Sequence, residues 1–507
     1  MPLTNILKKY GLVIFLSAIF WAVVLRCIPL EFYDLGGDSA QYIILGESLT
    51  QGKFLRMINY PGEPFSFYYP AVFPLLLFPI IYFLGRNFYL MHLVAALLGY
   101  LSLFFFYLIF KNYAGKKIAF FSVILLGLNW TFLYYCANYI LSDIPYLFFS
   151  SFAFFMATRY IEKPSFLNKQ GFLLILGLIL SYFTRYIGLT LFLGLLVSLA
   201  LMNKQDRLKK IFFLAGGFLS VWLLWEFFKY LNPNPVNLAS HAKQLFLVDP
   251  YAPYKGSLFA HPLYFILRFS EGANYFYSLL DNVFFAKQIL PAGLIASLTL
   301  VVLFLGLWVK FREDKGCIFH YYFIIYLLLI IFWPFKEGLR FILPILPFIF
   351  FYFFIGLKKI ISFISKNAAL AYLSSIFFVF FIFNLLSLPE VFKYSSEPLP
   401  PALKDFISLH QMIKENVPKE AVILSRKPTI TYFYTKHKAV CYPFTLNPEE
   451  IRDTILRNRI KYIIVDEFSL ETALYLVPFL YKYKDRLKLL HRIGNSSIIE
   501  VLETKER

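Results

Sequence analysis

Long apolar segments, separated by short charged ones, dominate the pattern of hydrophobic and polar positions along the chain. A membrane-spanning helix needs about 20 mostly apolar residues to cross roughly 30 Å of hydrocarbon. The pattern therefore predicts a membrane protein with many helical spans. The best candidate spans are 9–29, 88–110, 118–137, 144–160, 210–230, 289–309, 317–335, 341–357 and 369–388.

The segment 71–84, AVFPLLLFPIIYFL, is apolar but short. A helix of this length reaches only about 21 Å, and Pro74 and Pro79 weaken it further. If it nevertheless crossed the membrane, every later loop would change sides and the Lys- and Arg-rich loops would lie outside, against the positive-inside bias. We therefore expect 71–84 to be an interfacial or re-entrant element on the outer face.

The segment 171–202 is too long for one upright helix, and basic loops flank it on both sides. Two flanks on the same face require an even number of passes, so we predict two short helices joined near Thr184-Arg185-Tyr186. This turn would place Arg185 at the outer surface. Together these assignments predict about eleven spans, with the N-terminus inside and the C-terminus outside.

The composition agrees with a membrane protein, because 59% of the 507 residues are hydrophobic and only 16% are charged. The formal net charge is +19, but much of the basic charge falls in the predicted inner loops, where membrane proteins collect Lys and Arg. Nucleic-acid binding is therefore not needed to explain the charge. The four cysteines are too scattered to indicate a disulfide framework or a metal site.

The predicted outer face consists of two large loops, 30–87 and 231–288, and a tail from about 398 to 507. In the tail, AVILS, HKAVCYP, KYIIVD and SSIIEVL have the pattern of short strands, while ALKDFISLHQMIKE, NPEEIRDTILRNR and LETALYLVPFLYKYKDR have that of helices. Alternating strands and helices predict a small α/β domain. We therefore divide the chain into a membrane module, 1–397, and an outer domain, 398–507.

The stretch GGDSAQYIIL carries Asp38 shortly after the first predicted span. Tyr42 lies four positions on, one turn away on the same face of a helix. Asp38 could simply cap a helix that begins at Ser39, with Gln41 returning the bond as in a capping box. A cap and a catalytic carboxylate are compatible roles, so the pattern leaves both open.

Asp143, in NYILSDIPYLFF, is a second acid at the predicted outer boundary, and it also precedes a helix. An acid near the N-terminus of a helix is stabilised by the helix dipole, which is the alternative to a functional role. Asp38 and Asp143 each directly precede a helix that is predicted to start at this boundary. Two such acids at one surface could share an active site.

The predicted outer boundary also carries Arg185 and, in the tight loop of FWPFKEGLRFILPILP, Lys336, Glu337 and Arg340. Cations gathered beside the acids could hold an anionic group, and Arg is suited to bidentate contacts with phosphate. The alternative for each cation is snorkelling toward lipid headgroups. The histidines form no spaced ligand pair, so we expect no catalytic metal.

Several motifs occur in the order found in a known superfamily. The outer Asp with a tyrosine at +4, YYPAVFPLLLFPIIYFLG, LSDIPYLFF, FTRYIGLTLF and LRFILPILPF resemble the GT-C membrane glycosyltransferases. The resemblance covers about residues 1 to 400, and in particular it points to the branch with protein O-mannosyltransferases, the aminoarabinose transferase of lipid A and rhizobial galacturonosyltransferases. The tail from 405 is similar to the C-terminal domain of many bacterial and archaeal members. Many relatives carry an Asp-Glu pair where this chain has Asp38-Ser39, which leaves the acceptor class open.

The resemblance implies a polytopic α-helical membrane enzyme. Such an enzyme would move a sugar from a polyprenyl-phosphate donor to a lipid, glycan or protein acceptor, on the extracytoplasmic side of the plasma (inner) membrane. Asp38 matches the family's first-loop catalytic aspartate, and Asp143 matches its second-loop acid. Asp38 would act as general base in an inverting single displacement, while Asp143 would orient the acceptor or Asp38.

The resemblance also assigns the cations. Arg185, Lys336 and Arg340 match positions where the family commonly has basic residues facing the lipid phosphate, and we expect Tyr42 and Glu337 to contact the substrates as well. Cationic side chains can stabilise the charge that grows on a leaving phosphate. We therefore expect neither a cofactor nor a metal ion to be required.

Two other kinds of function are alternatives to this one. A transporter or flippase of an anionic lipid-linked substrate would favour ionisable residues near the bilayer midplane and broken helices in paired halves. Here the acids lie at one boundary, and no inverted repeat is evident in the sequence. A non-catalytic membrane scaffold that displays the tail would tolerate loss of both Asp38 and Asp143.

Overall fold

The computed structural model of the chain is built mainly of α-helices, with one small β-sheet near the C-terminus. Parts of both predicted outer loops (30, 34–35, 235–240, 250–255, 261 and 285–288) and the start of the predicted span 289–309 lie outside the residues that the structure describes. The described residues are 3–29, 31–33, 36–202, 206–234, 241–249, 256–260, 262–284, 291, 293–365, 367–467 and 469–502.

The described residues as far as residue 395 are mainly helical. In chain order the helices are α1 (Leu3–Cys27), α2 (Asp38–Thr50), α3 (Val72–Leu84), α4 (Phe88–Leu128), α5 (Trp130–Asn138), α6 (Asp143–Glu162), α7 (Lys169–Thr184), α8 (Leu189–Leu201), α9 (Arg207–Leu231), α10 (His241–Phe246), α11 (Pro262–Leu280), α12 (Leu294–Glu313), α13 (Ile318–Phe332), α14 (Leu346–Ile364), α15 (Ala369–Leu386) and α16 (Leu388–Ser395). Short 3-10 turns occur at Tyr186–Gly188, Leu258–Ala260 and Gly338–Ile342.

Five of the described helical segments are long and apolar enough to cross a membrane, namely α4, α9, α12, α14 and the run of α15 with α16. A sixth is counted if α5 and α6, which are bent by 116° relative to each other, form one span. Shorter apolar helices of 10–17 residues, among them α3, α7 and α13, accompany them. The fold is therefore that of a polytopic helical membrane protein, and the total of eleven spans stays a prediction.

The predicted pair of short helices within 171–202 is confirmed. Thr184 ends α7, Arg185 is extended with φ −148° and ψ 131°, and the 3-10 turn Tyr186–Gly188 leads directly into α8. A Cβ on Gly188 would lie 2.7 Å from the backbone nitrogen of Tyr182, so only glycine allows this close approach. Arg185 therefore lies at the turn between the two helices.

The predicted span 118–137 is not one continuous helix. The gap predicted between the spans 88–110 and 118–137 falls at Gly115, where a φ of 83° and a ψ of 167° interrupt α4, and a new helix starts after Asn129. The Asn129 side chain accepts a hydrogen bond from the Phe132 amide at 3.2 Å and donates one to the Val283 carbonyl at 2.6 Å. A capping side chain inside an apolar run therefore divides it.

The short segment predicted as an outer element forms α3, which packs along α2. A Cβ on Gly46 of α2 would come within 2.5 Å of the end of the Ile81 side chain, so the glycine lets the two helices approach closely. Helices α2 and α3 pack together as one unit, and α3 supports the helix that begins with Asp38.

Helix α11 falls within the predicted loop 231–288, where the sequence pattern did not indicate a helix. Its sequence, PLYFILRFSEGANYFYSLL, carries charged residues and a glycine in the middle of an apolar run. It packs against α12 and α13, yet several of its large apolar side chains, such as Leu263 at 66% exposure, point away from the protein. This is the surface expected of a helix that faces lipid.

The C-terminal part has the predicted α/β character. Its elements are α17 (Pro401–Asn416), β1 (Val422–Leu424), α18 (Pro428–Thr435), β2 (Ala439–Val440), α19 (Pro448–Arg457), β3 (Ile460–Asp466), α20 (Val477–Lys482), β4 (Leu487–Ile493) and β5 (Ser496–Val501). The four predicted strands are confirmed as β1, β2, β3 and β5, and the first two predicted helices are confirmed as α17 and α19. The sheet has the order β2-β1-β3-β5-β4, with β2, β1 and β3 parallel and β5 and β4 antiparallel to their neighbours.

Two elements of this part, α18 and β4, were not predicted. Strand β4 lies at the edge of the sheet and most of its side chains are exposed, so it lacks the alternating pattern that reveals a half-buried strand. The predicted helix 470–486 is helical from residue 470 to residue 482, with a π-helical turn, Thr472–Leu476, before α20, and a 3-10 turn, Lys484–Arg486, follows. Pro478 in the first turn of α20 has no amide to donate, so one bond of the regular helical ladder is missing beside the π-helical turn.

A buried apolar cluster joins the α2–α3 unit to the C-terminal part. It contains side chains from both, among them Tyr42, Ile43, Phe73, Leu77, Phe406, Leu409, Ile430 and Phe433. The C-terminal part therefore packs directly on the helix that begins with Asp38. The division of the chain at residues 397 and 398 stays a prediction.

Candidate active site

Asp38 is the first residue of α2, and its carboxylate faces two polar side chains. Gly37 precedes it with a φ of 103°, a backbone conformation that favours glycine. The Tyr69 hydroxyl donates a hydrogen bond to Oδ1 of Asp38 at 2.9 Å, and Nη1 of Arg340 donates to Oδ2 at 2.8 Å. The Asp38 side chain is 38% exposed, so a substrate can still reach it.

The capping box considered for this helix is wrong. The helix begins at Asp38 itself and not at Ser39. Within the described part of the chain, Nε2 of Gln41 has no hydrogen-bond partner, and its Oε1 accepts a hydrogen bond from the Thr429 hydroxyl at 2.9 Å. Gln41 therefore contacts the C-terminal part of the chain and does not return a bond to the start of its own helix.

Asp143 is the first residue of α6 and is buried, with 1% of its side chain exposed. Its Oδ2 accepts a hydrogen bond from Nε of Arg340 at 2.8 Å, and its Oδ1 forms an ion pair with Nη1 of Arg185. A buried carboxylate is costly unless opposite charges pair with it. The two guanidinium groups, together with the dipole of α6, account for its burial.

Arg340 connects the two acids. It lies in the 3-10 turn Gly338–Ile342, and the φ of 67° at Gly338 lets the chain reverse. Its side chain is 12% exposed. Nε pairs with Asp143, and Nη1 pairs with Asp38 at 2.8 Å and with Glu337 at 3.2 Å. Residues that are far apart in the sequence are therefore joined by a single guanidinium group.

Arg185, at the turn between α7 and α8, reaches the same site from another side. Its ion pair with Asp143 is mostly buried, with 16% of the Arg185 side chain exposed. The predicted neighbourhood of Asp38, Asp143, Arg185 and Arg340 is thus present, although the cations contact the acids and are not simply arranged beside them. Glu337 belongs to the same group through Arg340.

Tyr42 and Lys336 are not part of this network of ion pairs. The Tyr42 hydroxyl is hydrogen-bonded to the Ser142 hydroxyl at 2.8 Å, which ties α2 to the start of α6, and its side chain is buried. Lys336 is exposed and forms no ion pair with any residue in the described ranges. Substrate contacts of Tyr42 and Lys336 stay predictions, and Tyr42 has a clear structural role.

The charges of the site explain its protonation. Burial by itself would raise the pKa of Asp38, but the Arg340 guanidinium and the hydrogen bonds from Arg340 and Tyr69 outweigh it and hold that pKa below its ordinary value. Burial and the nearby Asp38 charge raise the pKa of Tyr69, which stays a neutral donor. Asp38 is therefore ionised at neutral pH.

Tyr69 is the residue of the site that sequence reasoning missed. It lies in the stretch YYPAVFPLLLFPIIYFLG, but with 37 tyrosines in the chain nothing in the sequence distinguishes it. Its ring packs edge-on against Tyr42 at a centroid distance of 5.2 Å, and its hydroxyl meets Asp38. Among the residues that the structure describes, no group of three or more His, Cys, Asp or Glu side chains is arranged to hold a metal ion.

The architecture described above is the GT-C fold of membrane glycosyltransferases. It matches ArnT from Cupriavidus metallidurans bound to undecaprenyl phosphate with a TM-score of 0.62 and 12% identity, over 97% of this chain and 98% of that one. It also matches the archaeal oligosaccharyltransferase AglB from Archaeoglobus fulgidus, in complex with an inhibitory peptide and a dolichol-phosphate, with a TM-score of 0.59 and 11% identity over 95% and 73%. The arabinofuranosyltransferase AftD from Mycobacteria matches with a TM-score of 0.52 and 10% identity, over 98% of this chain and 40% of that one. No protein-family model and no curated protein sequence matches the chain.

Proposed function

We propose that this chain is a membrane glycosyltransferase that moves a sugar from a polyprenyl-phosphate donor to an acceptor on the extracytoplasmic side of the plasma (inner) membrane. The observation that carries the proposal is the convergence of Asp38 and Asp143, each at the start of a helix, on Arg340. The GT-C fold supports it, since neighbours with this fold have been solved with undecaprenyl phosphate or with dolichol-phosphate and a peptide.

The donor phosphate would bind on the cationic side of this site. Arg340 uses Nε and Nη1 for carboxylates, while its Nη2 makes no hydrogen bond within the described part of the chain. Lys336, four positions earlier, is exposed. These donors suit a phosphate at headgroup level, and they would stabilise the negative charge that grows on it as the sugar leaves.

Asp38 would act as the general base. In a single displacement the acceptor oxygen bonds to the anomeric carbon, the bond from that carbon to the phosphate oxygen breaks, and polyprenyl phosphate leaves with the electron pair. The acceptor proton passes to the carboxylate of Asp38. Because a carboxylate with a depressed pKa is a weak base, this transfer occurs late, when the acceptor oxygen has become acidic through bonding to carbon. One displacement inverts the anomeric configuration.

Asp143 would act indirectly. It is too buried to meet an acceptor, with 1% of its side chain exposed, and both of its oxygens are used by guanidinium groups. Its role in this proposal is to hold Arg340 against Asp38 and to hold Arg185 at the base of the site. Of the two roles expected for this acid, orienting Asp38 is the one that its contacts favour.

The proposal is tested in cells of the source organism that lack this protein. Surface glycans, lipids and proteins are compared by mass spectrometry after return of the wild type, Asp38→Asn or the control Glu63→Gln, an acid of the first outer loop that pairs with Lys53 and Lys438. We expect one sugar modification to be missing in the cells that lack the protein, to return with the wild type and with the control Glu63→Gln, and to stay absent with Asp38→Asn. A modification that persists with Asp38→Asn, or none that depends on the protein, contradicts the proposal, and a dependence on lipid export alone favours a flippase.

A further inference from the structure

The first turn of α2, which carries Asp38, is held on two sides. Gln41 and Tyr42 follow Asp38 at three and four positions, so their side chains flank it on the helix surface. Tyr42 bonds to Ser142 at the start of α6. Gln41, which is 1% exposed, points the other way, and its Oε1 accepts a hydrogen bond from the Thr429 hydroxyl at 2.9 Å.

The contact with Thr429 belongs to a longer attachment between α2 and the C-terminal part. Before the helix, Nζ of Lys427 donates to the Gly36 carbonyl at 3.0 Å. At the far end of α2, Lys436 pairs with Glu47 at 2.9 Å. Helix α18 therefore lies along α2 and contacts it at both ends.

Arg86 strengthens the far end of this attachment. Its Nε and Nη2 bond the two oxygens of Glu47 at 2.5 and 3.1 Å, and its Nη1 donates to the Phe433 carbonyl at 2.7 Å. In addition, the backbone amide of Ala439 donates to the carbonyl of Asn59 in the first outer loop at 3.0 Å. The far end is thus held by several contacts of charged side chains. At the Asp38 end, the attachment consists of the Lys427 bond to the Gly36 carbonyl and the part-buried Thr429 bond to Gln41, whose Oε1 also accepts a hydrogen bond from Nδ2 of Asn59 at 3.5 Å.

We infer that the C-terminal part positions the Asp38 carboxylate, through the hydrogen bond from Thr429 to the buried carboxamide of Gln41. A rotation of the first turn by about 10° would move a group about 6 Å from the helix axis by about 1 Å. Misplacement on the order of 1 Å in a catalytic site costs up to about a hundredfold in rate. Thr429 and Gln41 are positioning residues in this inference, which rests on the proposed function for its effect on turnover.

The variant Thr429→Val removes the hydroxyl and keeps the shape of the side chain. With the full-length protein in nanodiscs, we expect kcat for sugar transfer to fall about tenfold, while KM for donor and acceptor stays within about twofold. Thr429→Ser keeps the hydroxyl and should restore kcat. The control is Thr435→Val on the same helix, whose hydroxyl bonds only within its own segment, to the Thr431 carbonyl and the His437 amide, and which should leave kcat unchanged.

Hydrogen exchange gives a readout that does not depend on activity. In Thr429→Val, we expect the backbone amides of residues 41–45 in α2, which donate within the helix, to exchange about tenfold faster than in the wild type and in Thr435→Val. An unchanged kcat in folded Thr429→Val, an equal loss in Thr435→Val, or unchanged exchange in α2 would each overturn the inference. If the wild type transfers no sugar, the proposed function fails, whereas the exchange comparison still decides whether Thr429 holds α2.

Discussion

Removing Arg340 tests the central arrangement of the site, because its guanidinium contacts three carboxylates. Arg340→Met deletes the charge and keeps an apolar chain of similar length. Asp143, 1% exposed, then loses its 2.8 Å partner and keeps only Arg185. Asp38 and Glu337, at 38% and 43% exposure, lose partners as well but remain open to water.

The magnitude follows from these burials. Breaking a buried ion pair by removing one partner costs about 3–5 kcal/mol when the remaining charge is left alone. Because Asp143 keeps Arg185, we expect a loss of about 2–3 kcal/mol from this contact, while each exposed partner adds less than about 1 kcal/mol. Catalysis should fall further, by on the order of 100-fold or more, since a charge-stabilising donor is also removed.

A double-mutant cycle measures the contact directly. Free energies of unfolding are obtained in mixed micelles for Arg340→Met, Asp143→Asn and the double variant, and the coupling should be about 2 kcal/mol. The matched control is the cycle of Arg340→Met with Glu337→Gln, where the 3.2 Å contact is exposed and the coupling should stay below about 0.5 kcal/mol. Equal couplings in the two cycles would refute the account of Arg340 as a buried bridge to Asp143.

Three further predictions follow from individual contacts. Tyr69→Phe removes the 2.9 Å hydrogen bond to Asp38 and should lower kcat on the order of tenfold in the transfer assay; an unchanged kcat would contradict a role for Tyr69. Lys336→Gln should raise KM for the lipid donor a few-fold without changing the unfolding free energy, because this lysine is exposed; a stability loss would contradict this placement. The pKa of folded Asp38 is lowered. Both kcat/KM and the stability that Asp38 contributes should therefore be fully present above its unfolded pKa of about 3.9 and be lost as pH falls through the lower folded value. In Arg340→Met, the acidic side of the pH profile of kcat/KM should shift to higher pH, and an unshifted profile would contradict the pairing of Arg340 with Asp38.

Much of the helical architecture could be predicted because long apolar runs carry a strong signal. The break at Asn129 could not, since one polar residue in an apolar run is compatible with a continuous helix until its capping contacts are known. Strand β4 could not be predicted for a related reason. An exposed edge strand has no buried face, and therefore no alternating pattern to detect.

The charged residues of the site could be predicted because ionisable groups are rare near the predicted outer boundary. Asp38, Asp143, Arg185 and Arg340 could be singled out from their position at that boundary together with the motifs that resemble the GT-C enzymes. Their pairing could not be predicted, since it depends on how loops far apart in the sequence approach each other. The same holds for Tyr69, because a neutral tyrosine in a chain this rich in aromatic residues gives no signal of its own.

A single-turnover measurement with the purified protein in nanodiscs tests sugar transfer and the role of Asp38 most directly. The protein is given a radiolabelled polyprenyl-phosphate sugar together with acceptor molecules extracted from the source membranes, and both products are quantified. For the wild type, we predict one equivalent of polyprenyl phosphate released for each sugar transferred, and no transfer by Asp38→Asn that still binds the donor. Transfer by Asp38→Asn at the wild-type rate would contradict the role of Asp38 as the base, and the absence of any transfer by the wild type would contradict the proposed function itself.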